Sequence, residues 1–175
     1  MTASGGRTRR HHTFALPVTA PSPDEFRRAM TLLPTAVTIL TAPGSDGPAG
    51  ATANAVASLS LEPPLMIAAL DRDSRTLTVV RDAGGFGINV LATDQEALAR
   101  AFATKAPHPE KWADVTWSDH SGVPIIDGCV LWVACRLRDA HDGGDHVILT
   151  GRVEAVGNNA GDPLLFHEGA YRAVD

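Results

Sequence analysis

The residues best suited to chemistry lie between Gly50 and Arg72, where small residues alternate with the short hydroxyl and amide side chains of Thr52, Asn54, Ser58 and Ser60. Such a stretch lets a flat ligand and an anion approach the backbone closely and still find hydrogen-bond partners. The segment Asp71-Arg72-Asp73-Ser74-Arg75-Thr76 follows, at the end of an apolar run and before a short helix expected over Thr76 to Asp82. Hydroxyls and N–H groups at a helix start suit a phosphate, with Arg72 or Arg75 adding charge; a plain helix cap accounts for the same residues equally well. Further on, the loop Thr104 to Val123 sets Lys105 and Lys111 beside Trp112 and Trp117. Those side chains either close over a cofactor or pack onto a core.

Several other chemistries are set aside. The chain has no Gly-x-Ser-x-Gly elbow, no Gly-x-x-x-x-Gly-Lys loop, no His-Glu-x-x-His and no Cys-x-x-Cys. Gly84-Gly85-Phe86-Gly87 lacks the third glycine of a dinucleotide fingerprint and leads into a strand, Phe86 to Leu91, rather than into a helix. His141 and His146 flank a turn with Asp142 and Asp145, a poor ligand set, so no metal centre is expected. What is left is a polar, small-residue crevice without a nucleophile, which suits a reaction whose difficult step belongs to a cofactor.

The elements that must position these residues are mostly strands. Ser22-Pro23-Asp24-Glu25 is a helix start with a capping box, and Phe26, Met30 and Leu33 give the helix one face to bury before Pro34 stops it. Thr35 to Ala42 reads as a strand that returns through the turn Pro43 to Pro48 and pairs with the strand carrying Gly50. Pro63 and Pro64 should end any pairing with a neighbouring strand, and Leu65 to Leu70 has the length of a buried one. Thr93 with Glu96 makes a second capping box ahead of an amphipathic helix, Gln95 to Ala103, with Leu98 and Phe102 on one face. Cys129 to Asp139 and His146 to Val156 form a long hairpin around the turn His141 to Asp145. Pro163 to Tyr171 ends against the same crevice. Many strands and few short helices predict a mainly β fold, an antiparallel β-barrel rather than a doubly wound sheet.

Composition narrows the partners. With 175 residues and a net charge of -5, the chain reads as one globular domain over 22–175, preceded by a disordered tail over 1–21 that holds Arg7, Arg9, Arg10, His11 and His12. Basic residues are otherwise unclustered, so nucleic acid is not an expected partner. No stretch has the length of a membrane span or a secretory signal, and the expected location is cytoplasmic. Cys129 and Cys135, placed on one strand, are expected as free, buried thiols.

In order and spacing, these segments resemble the short-chain flavin reductase family, the reductase components of two-component flavin-dependent monooxygenases. The resemblance rests on Gly50-x-Thr52-Ala53-Asn54, Ser58 to Leu65, Asp71-Arg72-x-Ser74-x-Thr76, Phe86-x-Ile88-Asn89-Val90-Leu91, Phe102-Ala103, Lys111-Trp112, Gly144-Asp145-His146, Gly151-x-Val153 and Pro163-Leu164. It implies a split β-barrel of Greek-key type that binds FAD or FMN, with a slight lean to FAD. It implies a homodimer with flavin sites near its interface, and NADH, or alternatively NADPH, as reductant. A separate monooxygenase would receive the reduced flavin. By the same resemblance Pro34, Thr35, Ala36, Val37, Thr52, Ala53 and Asn54 line the flavin ring, while Ser58, Leu59 and Ser60 hold its ribityl or phosphate portion. Asp71, Ser74, Thr76, Phe102, Lys105 and Lys111 belong to the outer part of the flavin site. Gly144, Asp145, His146 and Tyr171 belong to the nicotinamide nucleotide.

The chain departs from many relatives at Ala36, where they have Gly, at Ala55, where they have Ser, and at Trp112, where they have Phe. Ala55 removes a hydroxyl contact, and Ala36 is tolerated unless its backbone needs a positive φ. The implied chemistry is hydride transfer from nicotinamide C4 to flavin N5, with the two atoms held roughly 3 to 3.5 Å apart. Backbone N–H groups near Thr52 to Asn54 are placed to stabilise the charge that grows on the flavin. His146 positions the nucleotide rather than acting as an acid, unless it is simply a histidine satisfied at a strand start. A non-catalytic flavin carrier on the same barrel is the alternative function; it would have no need of a nicotinamide site.

Overall fold

The computed structural model describes residues 20–174, so the basic cluster Arg7 to His12 lies outside the described residues. Helix α1 (Pro23–Met30) opens with the expected capping box: Ser22 Oγ accepts from the Glu25 N–H, and the Glu25 carboxylate accepts from the Ser22 N–H at 2.9 Å. Those hydrogen bonds hold the Glu25 carboxyl below its usual pKa range. The apolar face of α1 is not buried, however. Phe26, Met30 and Leu33 are 57%, 44% and 59% exposed, because the helix stands off the sheet and nothing among the described residues covers it.

Strands β1 (Thr35–Ala36) and β2 (Thr38–Gly44) replace the single strand expected over Thr35 to Ala42. They part at Val37, whose N–H and C=O bond to Leu164 and Leu91 instead of to a neighbouring ladder. Strand β3 (Gly47–Ala53) pairs with β2 through a tight turn, as expected. Strands β4 (Val56–Leu61) and β5 (Pro64–Asp71) form a hairpin, so Pro63 and Pro64 turn the chain without ending the pairing. The Pro64 position at the hairpin end needs no N–H for the ladder. In β5 Ala68 and Leu70 are buried in the core with Met66 packed against it, while Ile67 and Ala69 on the opposite face are only half-buried, which makes it a strand with one main core face.

Helix α2 (Arg75–Ala83) leads through Gly84, in the left-handed region at φ 67°, into β6 (Gly85–Val90). A 3-10 turn at Thr93–Gln95 precedes helix α3 (Glu96–Ala103). The Thr93–Glu96 capping box does not form: Gln95 accepts the Ala92 N–H at 2.9 Å, and Glu96 pairs with Arg100 one turn on. The expected loop holds the one-turn helix α4 (His108–Trp112) and the hairpin β7 (Trp117–His120) and β8 (Val123–Ile126). Strands β9 (Leu131–Gly143) and β10 (His146–Asn158) make the long hairpin, with only Gly144 and Asp145 in the turn. Cys129 precedes β9 and does not lie on a strand with Cys135. Both thiols are free and buried, and burial pushes them up to about 11 and about 12. The short strands β11 (Leu165–His167) and β12 (Ala170–Arg172) close the order, β11 pairing with β1.

Seven of these strands form one antiparallel sheet in the order β3-β2-β6-β9-β10-β5-β4. The sheet curls until its two sides share a core of Leu40, Ala53, Ala68, Leu70, Phe86, Ile88, Val133 and Leu149, plugged at one end by Leu77 and Val80 of α2. Gly151 is required here, since a Cβ would lie 2.5 Å from the Phe86 ring. Asn89 is fully buried and satisfied, donating to the Ile39 carbonyl at 3.0 Å and accepting from the Ile126 N–H at 2.7 Å. A second core under α3 gathers Val37, Ile39, Leu91, Phe102, Trp112 and Leu164. The fold is mainly β with few short helices, as expected.

Candidate functional site

One strand register and two arginine ties build the site. Pairing of β5 with β10 sets His146 opposite Asp71, so the start of one strand meets the end of the other. The Arg72 N–H donates to the Asp145 carbonyl at 3.0 Å, and its guanidinium donates to the Gly144 carbonyl at 2.8 and 3.2 Å and pairs with Asp142. Arg72 is therefore spent on holding the β9–β10 turn. Arg75 is likewise engaged, donating to the Lys105 and Ala106 carbonyls at 2.7 and 2.6 Å, which ties the α3–α4 connection to the start of α2.

The ends so joined enclose a cavity of about 730 Å³. One wall is the small-residue run Ala51 to Ala55; the rest is lined by Asp71, Asp73 to Thr76, the α3 end from Phe102 to Lys105, then His108, Lys111 and His146. Among the residues expected at a site, Thr52, Ala53, Asn54, Asp71, Ser74, Thr76, Phe102, Lys105, Lys111 and His146 line this cavity. Pro34, Thr35 and Ala36 line a second cavity of about 340 Å³, which shares Asn54 with the first. Val37 is in the core, and Ser58, Leu59 and Ser60 lie on β4 outside both cavities in the single chain. Gly144 and Asp145 form the turn beside His146. Tyr171 packs edge-on to Phe166 beneath Arg100, away from the cavity wall. Ala36 is not among the residues with positive φ, so its methyl group costs nothing in the backbone.

The chemistry of the wall follows from how each group is already used. Thr52 Oγ1 donates to the Ala99 carbonyl at 2.8 Å, which leaves it as an acceptor toward the cavity. Ser74 stands at the N-cap of α2, yet its side chain makes no capping bond and stays free for a ligand. Lys111 is buried, with Nζ donating to the Phe102 carbonyl at 3.1 Å; burial first, then Arg75, pull its pKa down. An ammonium held in this way is worth about 1.5–3 kcal/mol to an anion that can reach it. Trp112 packs edge-on against Phe102 at 5.1 Å and belongs to the core, not to a lid.

His146 Nδ1 lies 2.7 Å from Asp145 Oδ1, and since a carboxylate can only accept, the ring donates there and keeps Nε2 for another partner. This hydrogen bond is the leading cause that holds the Asp145 carboxyl below its usual range. Ala55, noted as a departure from relatives, also lines the cavity, as do His108 and Thr104, which were not singled out from sequence. A lone histidine in a proline-rich connection carries no periodicity or motif. Its proximity to Lys111 three residues on is the one local signal that could have found it.

Known proteins resemble this chain in sequence and fold. A family model described as flavin reductase like domain matches residues 30–175. An NADH-dependent flavin reductase from a Rhodococcus species is 34% identical over 157 residues, covering 88% of each chain. The reductase subunit HsaB of a flavin-dependent monooxygenase from Rhodococcus jostii is 34% identical, over 92% of this chain and 83% of its own. Among solved structures, the NADH:FAD oxidoreductase SgcE6 of Streptomyces globisporus, in complex with NAD and FAD fragments, superposes with a TM-score of 0.81 at 33% identity, over 87% of this chain and 92% of that one. Agreement over nearly the whole described barrel, in sequence and in fold alike, places the chain in the flavin reductase-like domain family.

Proposed function

We propose that this chain uses NADH to reduce FAD or FMN and releases the reduced flavin to a separate flavin-dependent monooxygenase. The observation that carries the reading is the convergence, on one cavity, of a small-residue wall, a free hydroxyl at a helix start, a buried ammonium and an oriented histidine. These residues fit a flavin: Ala51, Ala53 and Ala55 offer a wall without bulk, and Ser74, Lys105 and Lys111 suit its phosphate. When bound, the flavin supplies the ring that accepts a hydride from the nicotinamide. The protein supplies position: Thr52 and Asn54 present polar groups to the ring edge, and His146, held by Asp145, orients the nucleotide.

The chain acts as a homodimer in this reading. The apolar residues of α1, together with Leu59 and Leu61 on the outer strand β4, are exposed in the single chain and suit a second copy. The domain spans 22–175, and NADH as reductant agrees with a cytoplasmic location. No helix of the described residues is long and apolar enough to cross a membrane.

The test is loss of NADH absorbance in the presence of added FAD or FMN. Oxidation that requires both protein and flavin is expected; no flavin-dependent oxidation with NADH or NADPH would contradict the reading and favour a carrier.

A further inference from the structure

Both ring nitrogens of His108 are sealed from solvent and have no hydrogen-bond partner, although the residue lines the cavity. Among the described residues Trp112 Nε1 and Thr150 Oγ1 are likewise buried without a partner, but of the three only His108 lines the cavity, where a partner can arrive from outside. The charged and titratable groups that line the cavity with His108 are Lys111 on its own helix, Lys105 on the connection before it, Asp71 at the end of β5, Asp73 in the turn after it, Arg75 on α2 and His146 on β10. Burial first, then Lys111 and Arg75, hold its pKa below that of an ordinary histidine, so the free protein keeps this imidazole uncharged at neutral pH.

We infer that His108 takes up a proton when a phosphate group of the flavin enters the cavity, so that phosphorylated flavins bind more tightly as the pH falls. The inference rests on the flavin-binding reading above. An entering phosphate reverses both electrostatic causes at once, because its charge offsets Lys111 and Arg75, and its oxygens accept from the ring once the imidazole turns one of its sealed nitrogens to the cavity. The complex then holds more protons than its separated parts, and linkage makes affinity rise with acidity. The window opens where the bound imidazole begins to protonate and closes where the free one, below the ordinary histidine value, does so as well. A permanent cation here would add a third positive charge beside Lys111 and Arg75 before any ligand arrived; a histidine brings its charge only with the anion.

The test titrates FMN, FAD and riboflavin into the full-length protein between about pH 6 and 8, the range in which histidine titrates. Riboflavin lacks the phosphate, and the pyrophosphate of FAD has no proton that titrates near neutrality, so FAD separates His108 from the second ionisation of FMN. The expected result is FAD affinity higher by about fivefold or more at the acid end, at the low end of site-to-site coupling, with riboflavin flat. His108→Gln is expected to flatten the FAD profile and leave riboflavin binding unchanged. Calorimetry of the unaltered protein in two buffers of different ionisation enthalpy should show proton uptake with FAD and none with riboflavin. A profile shared by the unaltered protein and His108→Gln, or FAD binding without proton uptake, overturns the role of His108 alone. Failure of all three flavins to bind at any pH overturns the flavin reading and this inference with it.

Discussion

At the scale of single residues, the cavity works by what its side chains have left to offer. Thr52 and Lys111 each already serve the fold, through the Ala99 and Phe102 carbonyls, so their contribution to a ligand is fixed in place before it binds. His146 is the clearest separable part, since its ring is oriented by the exposed Asp145 in the β9–β10 turn. His146→Ala should therefore raise the NADH KM, or lower turnover, by about tenfold, the equivalent of one hydrogen bond to a charged or polar ligand group, while the flavin Kd stays nearly unchanged. Steady-state kinetics beside a flavin titration check this, and an equal loss of flavin affinity would contradict it. Residues of this kind were legible in the sequence where a hydroxyl, a lysine or a histidine recurred beside glycine in a recognisable order. Arg72 and Arg75 show the limit: their charge was visible, but not that backbone carbonyls of Gly144, Lys105 and Ala106 already claim it.

At the scale of elements, the long β9–β10 hairpin and the α2 and α3 helices could be read from periodicity because each buries one face on the same barrel. Periodicity says which face is apolar, not what covers it, and that is why the face of α1 was expected to be buried within the chain. The one-turn helix α4 was hidden for a different reason: five residues beginning His-Pro hold too little pattern to set apart from a loop. Gly50 shows how an element is shaped from elsewhere. On β3 it leaves room for Phe102 of α3, and an added Cβ would sit 2.6 Å from that ring and 3.2 Å from Trp112. Gly50→Val should destabilise the protein by about 1–3 kcal/mol, the usual cost of overpacking, as read by denaturant unfolding at fixed protein concentration. Stability equal to that of the unaltered protein would mean that α3 is free to move outward.

At the scale of the whole molecule, one curled antiparallel sheet places two cavities side by side with Asn54 between them, and leaves apolar residues of α1 and β4 uncovered. The barrel itself was legible from many strands and few crossover helices. The larger cavity was not, because it arises from the Asp71–His146 register and the Arg75 tie, which join segments 75 and 30 residues apart. The homodimer proposed above would cover this surface. Light scattering should give twice the chain mass, and Phe26→Glu combined with Met30→Glu should shift it toward the monomer; a monomer for the unaltered protein would contradict the assignment of that face.

The most direct measurement is a crystal structure of the protein soaked in FAD. The expected result is density for the flavin ring against Thr52 to Asn54, with its phosphate groups toward Ser74 and Lys111; flavin bound elsewhere on the barrel, with this cavity empty, would contradict the account.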